Sequence, residues 1–249
     1  MVAMALCKLW YREVKEMTTQ VQCPDRIMHP VFEGLTDISE TRPFEAHEDG
    51  RCFADLSDYF IQQQMCERFE VTLLHTHFSL FEDEVFVNRF YRDRRILVGK
   101  IEAVEKTQAI LPWSLRLFRQ GNRPLFIPNQ YLAVSEDDEY RDFSLTDRDR
   151  AFLQGVSAIL GAHDALNHFG VQLRLPFLDT NEGEYLMEYI EKESRRAKLA
   201  FIGEQELGVS PVIETSWLFS SDLTDTHQIC WFHARCKRIC HHGGGDGLE

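Results

Sequence analysis

A succession of strand-like segments with no helix between them fills the middle of this chain and restricts its fold more than any other feature. The run Phe69–Phe78 is rich in β-branched, aromatic and aliphatic residues, and Glu84–Phe90 and Arg95–Val104 have the same character. Two further strands are predicted over 115–119 and 125–134, which Gly121 and nearby prolines delimit. Strands joined by short connections favour antiparallel pairing.

Helices are predicted on both sides of these strands. Apolar residues at helical spacing indicate helices over 2–17 and 55–66. Thr146 is expected to cap a longer helix that Gly170 terminates, and a further helix is predicted from Asn181 to about Lys198. Shorter strands are predicted over 171–175, 212–219 and 229–235.

This order of elements predicts an α+β fold, with a mixed, mainly antiparallel sheet and helices packed on it. We expect a single unit of 249 residues, with a turn-rich N-terminal segment (1–52), an α+β core (53–235) and a flexible Cys/His/Gly tail (236–249). No internal repeat is evident, and neither a regular βαβ alternation nor a glycine-rich phosphate loop is present. These absences argue against a doubly wound nucleotide-binding fold.

The charge and cysteine content narrow the expected partners. The formal net charge is −13, which disfavours nucleic acid and favours a cationic small-molecule substrate. The basic run 89–95 is interpreted as a solvated loop or strand edge. Of seven cysteines, four are scattered through the first third of the chain and three cluster near its end, which indicates reduced thiols and hence a cytoplasmic protein. Neither a signal peptide nor a membrane span is predicted.

The segment His75-Thr76-His77 is the first candidate site. On a strand, residues i and i+2 project to the same face, so both imidazoles are predicted to lie together, about 6–7 Å apart along the backbone. Two such side chains can bind one divalent ion of Zn, Fe or Mn, with Glu82, Asp83 or Glu84 as the third ligand. Without a metal, His75, His77, Glu82 and Glu84 could act as general acids or bases, or the histidines could simply hydrogen-bond inside a core.

Two resemblances involve this segment. The spacing His75-x-His77-x4-Glu82 resembles the cupin metal motif, which implies that two histidines and a glutamate hold a metal inside a small barrel of strands. The match covers eight residues, and the flanking glycines and the downstream histidine of that motif are missing. The segment Leu73-Leu74-His75-x-His77-Phe78 is also similar to one found in uncharacterised fungal proteins, a resemblance that implies no activity.

The C-terminal region holds a second candidate metal site. Cys230, His233, Cys236 and Cys240 are thiol and imidazole ligands of the kind that zinc prefers, although their spacing lacks the long loop of a usual structural site. A packed or disordered tail and a redox role are the alternatives. His163 is interpreted as a core or interface residue of its helix.

The glutamates of the predicted helix 181–198, namely Glu184, Glu188 and Glu191, are interpreted as a solvated acidic edge. Taken together, the sequence predicts a small-molecule enzyme with a pocket at the histidine pair, and it leaves the reaction type open. The alternative is a non-catalytic binding or scaffold protein with a metal-stabilised Cys/His tail.

Overall fold

The computed structural model describes residues 34–38, 40–104, 110–120, 123–135, 144–181, 184–206, 212–219 and 234–237. Within them lie two α-helices, α1 (Ala46–Gln63) and α2 (Asp147–Ala162), and eleven strands. The strands are β1 (Phe69–Leu73), β2 (Glu84–Tyr91), β3 (Ile96–Ala103), β4 (Ile110–Gln120), β5 (Arg123–Ala133), β6 (Phe169–Leu173), β7 (Glu184–Glu191), β8 (Arg196–Gly203), β9 (Val212–Glu214), β10 (Ser216–Trp217) and β11 (Ala234–Lys237). Neither described helix is both long and apolar enough to cross a membrane.

All eleven strands belong to one mixed sheet, in the order β10-β1-β6-β4-β5-β2-β3-β8-β7-β11-β9. Most neighbours are antiparallel, and the pairs β2–β5 and β7–β11 are parallel. The predicted α+β class with a mainly antiparallel sheet is therefore confirmed. The two outermost strands, β9 and β10, are separated in the chain by Thr215 alone. The sheet consequently curls until its two ends meet at this residue.

The chain contains an internal repeat that the sequence does not reveal. Strands β6, β7 and β8 begin at residues 169, 184 and 196, each 100 residues after β1, β2 and β3, and a helix precedes each set. The non-glycine residues with positive φ follow the same spacing, as the pairs Gln64/Asp164 and Arg95/Arg195. The expectation of no repeat is therefore wrong. Phe69, Val71 and Leu73 recur as Phe169, Val171 and Leu173, but most other positions differ, because the repeat preserves burial and turn geometry more than residue identity.

The two halves are related by an approximate two-fold axis. In the β1–β6 pair Phe69 lies opposite Leu173 and Leu73 lies opposite Phe169, so the pairing is reciprocal about Val71 and Val171. The β3–β8 pair is reciprocal in the same way, with Val98 opposite Lys198 at its centre. Strands of one half therefore pair with the equivalent strands of the other half within one sheet.

Aromatic contacts join the helices to one face of β1 and β6. Phe53 of α1 lies 4.9 Å from Phe169 and 5.1 Å from Trp217, measured between ring centroids. Phe152 of α2 stacks on Phe69 at 5.3 Å. The main hydrophobic core therefore lies between the helices and the odd-numbered residues of these two strands. The even-numbered residues project to the opposite face of the sheet, away from the helices.

The predicted cap of α2 is confirmed. Thr146 Oγ1 accepts a hydrogen bond from the Asp149 backbone N–H, and the Asp149 carboxylate accepts one from the Thr146 N–H. The helix ends at Ala162, however, and Gly170 lies inside β6. An added Cβ at Gly170 would lie 2.6 Å from the Leu115 carbonyl oxygen, so this glycine permits close strand packing and does not terminate a helix.

The helix predicted over 181–198 is wrong, because these residues form the β7–β8 hairpin. The strand predicted over 69–78 ends at Leu73, whereas β2 and β3 lie within two residues of their predicted bounds. The helix predicted over 2–17 lies outside the described residues.

Candidate metal centre

The two histidines lie just beyond the end of β1, in a segment held by backbone pairing. Thr76, between them, donates its N–H to the Thr36 carbonyl at 2.9 Å and accepts from the Ile38 N–H at 2.9 Å. This short parallel bridge with Asp37 fixes the backbone while the flanking side chains turn inward. His75 is 7% exposed and His77 is 4% exposed. Their imidazoles are therefore buried in a segment that is no longer regular strand.

Three ligand atoms converge at this point. His75 Nε2 and His77 Nε2 lie 3.2 Å apart. Glu188 of β7 places Oε1 3.2 Å from His77 Nε2 and Oε2 3.8 Å from His75 Nε2. The three side chains are all buried, and this group could hold a metal ion.

The backbone selects the proton position on His75. Its Nδ1 lies 2.9 Å from the Leu73 carbonyl oxygen, which can only accept, so Nδ1 carries the proton. In the neutral ring, Nε2 then presents a lone pair toward His77 and Glu188. A histidine whose second nitrogen donates to a backbone carbonyl is the usual arrangement for a metal ligand.

Burial and mutual contact set the charges of the other two groups. Burial lowers the pKa of His77, although the neighbouring carboxylate acts in the opposite direction. Burial alone would raise the pKa of Glu188, but the two imidazoles outweigh it and hold that pKa well below its usual range. Metal binding requires an ionised carboxylate, and the low pKa of Glu188 provides one.

The carboxylates expected from the sequence as the third ligand lie elsewhere. Glu84 is bound by Arg195, with nitrogen–oxygen distances of 2.9 and 2.6 Å, and it also accepts from the Phe81 N–H. Glu82 and Asp83 are exposed in the connection before β2. The structure therefore brings His75 and His77 together as predicted, but with Glu188 in place of Glu82, Asp83 or Glu84.

Sequence reasoning missed Glu188 because it assigned this residue to the solvated face of a helix. In the structure Glu188 lies in the middle of β7, with 6% exposure. Its neighbours on the predicted acidic edge do remain near the surface, where Glu184 pairs with Arg95 and Glu191 accepts from Ser194. A glutamate buried in a strand indicates a functional role, but Glu188 could be recognised as one only after its segment had been assigned correctly as a strand.

Two of the remaining candidates, His163 and the basic run 89–95, make their contacts away from this centre. His163 is the C-cap residue of α2, and its Nε2 lies 2.7 Å from an Asp55 oxygen near the surface. In the basic run, Arg89 pairs with Glu102 and Arg95 with Glu184. In the tail, Cys230, His233 and Cys240 lie outside the described residues, and Cys236 is described only by its backbone in β11.

A small cavity adjoins the cluster inside the curled sheet. Its volume is about 30 Å³, which corresponds to about two water molecules. His75 and Glu188 line one part of it, whereas His77 is not among the lining residues. The other lining residues come from most of the strands around the sheet: Glu70, Thr72, Trp113, Gln130, Gln172, Arg174, Leu175, Leu178, Asp179, Leu186, Leu199, Thr215 and Ser216.

The chain has no match among models of known protein families, among characterised proteins or among solved structures. The geometry of the buried cluster is therefore the basis for the functional argument.

Proposed function

We propose that the protein binds one divalent metal ion through His75, His77 and Glu188, and that it uses this ion in an enzymatic reaction on a small molecule in the adjacent cavity. The observation that carries the proposal is the convergence of three buried ligand atoms, one of which has its lone pair fixed by a backbone hydrogen bond.

The spacing of the ligand atoms supports this proposal. Ligands about 2.0–2.2 Å from a tetrahedral zinc ion lie roughly 3.3–3.6 Å from one another. The nitrogen–nitrogen distance of 3.2 Å and the nitrogen–oxygen distances of 3.2 and 3.8 Å are close to these values. Little rearrangement is therefore needed to admit an ion.

The ligand set favours catalysis over a structural role. Two imidazoles and one carboxylate suit Zn, Fe or Mn, and three protein ligands leave at least one position for water or substrate. A structural zinc site would normally be closed by a fourth protein ligand. Among the described residues, no further His, Cys, Asp or Glu joins this cluster.

Metal analysis of the purified protein tests the proposal. We expect one equivalent of Zn, Fe or Mn in the wild-type protein and its loss in the Glu188→Gln variant, which removes the ligand charge with little change in shape. The matched control is Glu82→Gln, which alters an exposed carboxylate and should leave the metal content unchanged. Equal metal content in the wild-type, Glu188→Gln and His75→Ala/His77→Ala proteins would contradict the proposal.

The distance between His77 and Glu188 favours a second candidate, metal-free acid–base catalysis. With no ion, the His77 Nε2 proton can be donated to Glu188 at 3.2 Å, which makes a histidine–carboxylate pair. This candidate predicts a metal-free protein whose activity survives chelation and is lost in both His77→Gln and Glu188→Gln. Loss of activity with a chelator, restored by adding metal, would exclude it.

A further inference from the structure

The cavity has a polar wall that the metal centre does not use. It is formed by Glu70 and Thr72 of β1, Gln172 of β6 and Ser216 of β10, and we call these four residues the polar wall. Gln172 lies directly opposite Glu70, and Ser216 lies opposite Thr72. Directly opposed residues of an antiparallel pair project to the same face, so four polar side chains from three adjacent strands face one small space.

Hydrogen bonds within the polar wall leave mainly acceptors for a ligand. Gln172 donates from Nε2 to Glu70 Oε1, and Thr72 Oγ1 donates to the Thr215 carbonyl at 3.0 Å. One N–H of Gln172 and the Thr72 hydroxyl proton are therefore engaged, while the second Glu70 oxygen and the Thr72 lone pairs remain. Ser216 Oγ is buried and has no hydrogen-bond partner among the described residues. An orphan buried hydroxyl in a cavity wall indicates a missing polar partner.

Glu70 also forms no ion pair within the described ranges. It is 5% exposed, and no basic side chain among the described residues forms an ion pair with it. Arg174, the arginine among the described lining residues, is held by Asp179 at 2.9 Å and by Glu67. The charge of Arg174 acts on Glu70 from a distance, but a cation that enters the cavity would meet a carboxyl group that has no ion-pair partner in the described part of the chain.

We infer that the polar wall binds the primary ammonium group of a small amine substrate, in the cavity that His75 and Glu188 also line. Three N–H donors of an ammonium match the acceptors of Glu70, Thr72 and Ser216. Along β1 and its continuation, Glu70 and His75 are five residues apart, which is at most about 16 Å. The inference rests on the proposed function and adds to it the class of substrate.

Ammonium binding is coupled to proton release at Glu70. Burial raises the pKa of this carboxyl to about 8, so at neutral pH it enters the complex protonated and must ionise to pair with the cation. The arriving charge and the departing proton balance, so burial of a net charge is avoided. The other charged or titratable lining groups are His75, Arg174, Asp179 and Glu188.

Calorimetric titration with methylammonium chloride tests the site, because this probe has only two heavy atoms and the full protein can be used. At pH 9 we expect saturable binding of one equivalent. Glu70→Gln should weaken it about tenfold or more, and Ser216→Ala about two- to tenfold, since charged hydrogen bonds contribute more than neutral ones. Potassium chloride is the control, because K⁺ has a similar charge and size without N–H donors.

Proton release gives an independent readout. Repeating the titration at pH 7 in two buffers with different ionisation enthalpies should show close to one proton released per methylammonium bound. The affinity should fall about tenfold for each pH unit below 8 and level off above it. Absence of saturable binding to the wild-type protein, equal binding by Glu70→Gln, or equal binding of K⁺ would overturn the inference.

Metal content measured on the same samples separates the two proposals. Glu70→Gln should retain one equivalent of metal while losing methylammonium, and Glu188→Gln should lose metal while retaining methylammonium. A wild-type protein that binds methylammonium but no metal would contradict the proposed function and leave the ammonium site in place. A protein that binds metal but no methylammonium would contradict the ammonium site and leave the proposed function in place.

Discussion

Glu70 and Glu188 line the same cavity but differ in charge at neutral pH, where Glu70 is protonated and Glu188 is ionised. Burial affects both carboxyl groups, but Glu188 faces two imidazoles, whereas Glu70 faces the amide of Gln172. The pKa of Glu70 is therefore raised to about 8, and that of Glu188 is held well below its usual range. Two carboxyl groups of one site whose pKa values are pushed apart typically divide between acid and ligand roles.

The Glu70→Gln substitution should remove a pH dependence of stability. Native Glu70 stays protonated up to about pH 8, whereas in the unfolded chain it ionises near its ordinary pKa of 4.5. Between these values the native state binds more protons, so the free energy of unfolding falls by about 1.4 kcal/mol for each pH unit of increase. Urea unfolding between pH 5 and 8 should show a flatter profile for the variant. Parallel profiles for the two proteins would show that Glu70 is not protonated in the native state.

Asp149 is the residue on which the start of α2 depends. It is 1% exposed, accepts from the Thr146 N–H and hydroxyl at 2.7 and 2.8 Å, and is held by Arg68 at 2.5 and 2.6 Å. We expect Asp149→Ala to lower the free energy of unfolding by about 2 kcal/mol or more, because a cap and a charged pair are lost together.

Asp147 provides the matched control, because it lies in the same helical turn and is fully exposed. Asp147→Ala should cost well under half as much in chemical denaturation, as only its interaction with the helix dipole and a solvent-exposed ion pair with Arg150 at 3.9 Å are lost. Similar losses for both variants would mean that the capping network contributes little.

At the scale of elements, two related ion pairs tie the hairpins of the two halves together. Arg195 of the β7–β8 turn binds Glu84 of β2, and Arg95 of the β2–β3 turn binds Glu184 of β7. Both arginines have positive φ, at 54° and 50°. Left-handed backbone at this position lets each hairpin turn tightly and extends its arginine over the neighbouring hairpin.

Glu84→Gln should therefore behave as a change in a half-exposed ion pair and not as the loss of a metal ligand. We expect a cost of about 1 kcal/mol or less in the free energy of unfolding, because such pairs are largely offset by solvation. The metal content should stay at the wild-type value. Loss of metal from this variant would instead support Glu84 as the third metal ligand, which is one of the carboxylates that the sequence predicted.

The sequence was most informative where local chemistry and tertiary structure agree. Strands β2 and β3 are rich in β-branched and aromatic residues, and Thr146 is a strong helix cap, so their positions were predictable. The hairpin of β7 and β8 was not, because Glu184–Glu191 consists largely of good helix formers and is buried on both faces. Without period-two alternation, local propensity pointed to a helix, and pairing with β8 and β11 overrides it.

The candidate site was predictable in part for the same reason. His75 and His77 are two residues apart, and any extended backbone brings such side chains near each other. Glu188 comes from a strand 111 residues further along the chain than His77, and only the curl of the sheet brings it close. The sheet order that creates this contact is a property of the complete fold and has no local signature.

At the scale of the whole molecule, the sheet closes through the segment that contains Thr215. Its carbonyl accepts from the Leu73 N–H at 2.8 Å and from Thr72 Oγ1, which ties both ends of the sheet to β1. Trp217, two residues on, is 2% exposed and contacts Phe53, Phe169 and the less buried Phe44. Closure of the sheet and packing of α1 therefore depend on one short segment.

Trp217→Ala should lower the free energy of unfolding by about 3–5 kcal/mol, the usual cost of removing a buried large aromatic side chain. Chemical denaturation measures the loss, and Trp217→Phe is the control, for which a markedly smaller loss is expected. A cost below about 1 kcal/mol for the alanine variant would show that this segment does not hold the closed sheet together.

The approximate two-fold axis also has a consequence for the history of the protein. Reciprocal pairing of β1 with β6 and of β3 with β8 is what an isologous homodimer of a half-length ancestor would make. Such a dimer would have carried two identical pockets. In the present chain, the positions equivalent to His75, His77 and Glu188 are occupied by Leu175, Phe177 and Asn88. Gene fusion frees one pocket from the sequence of the other, so that one pocket can keep three metal-ligating side chains while its counterpart loses them.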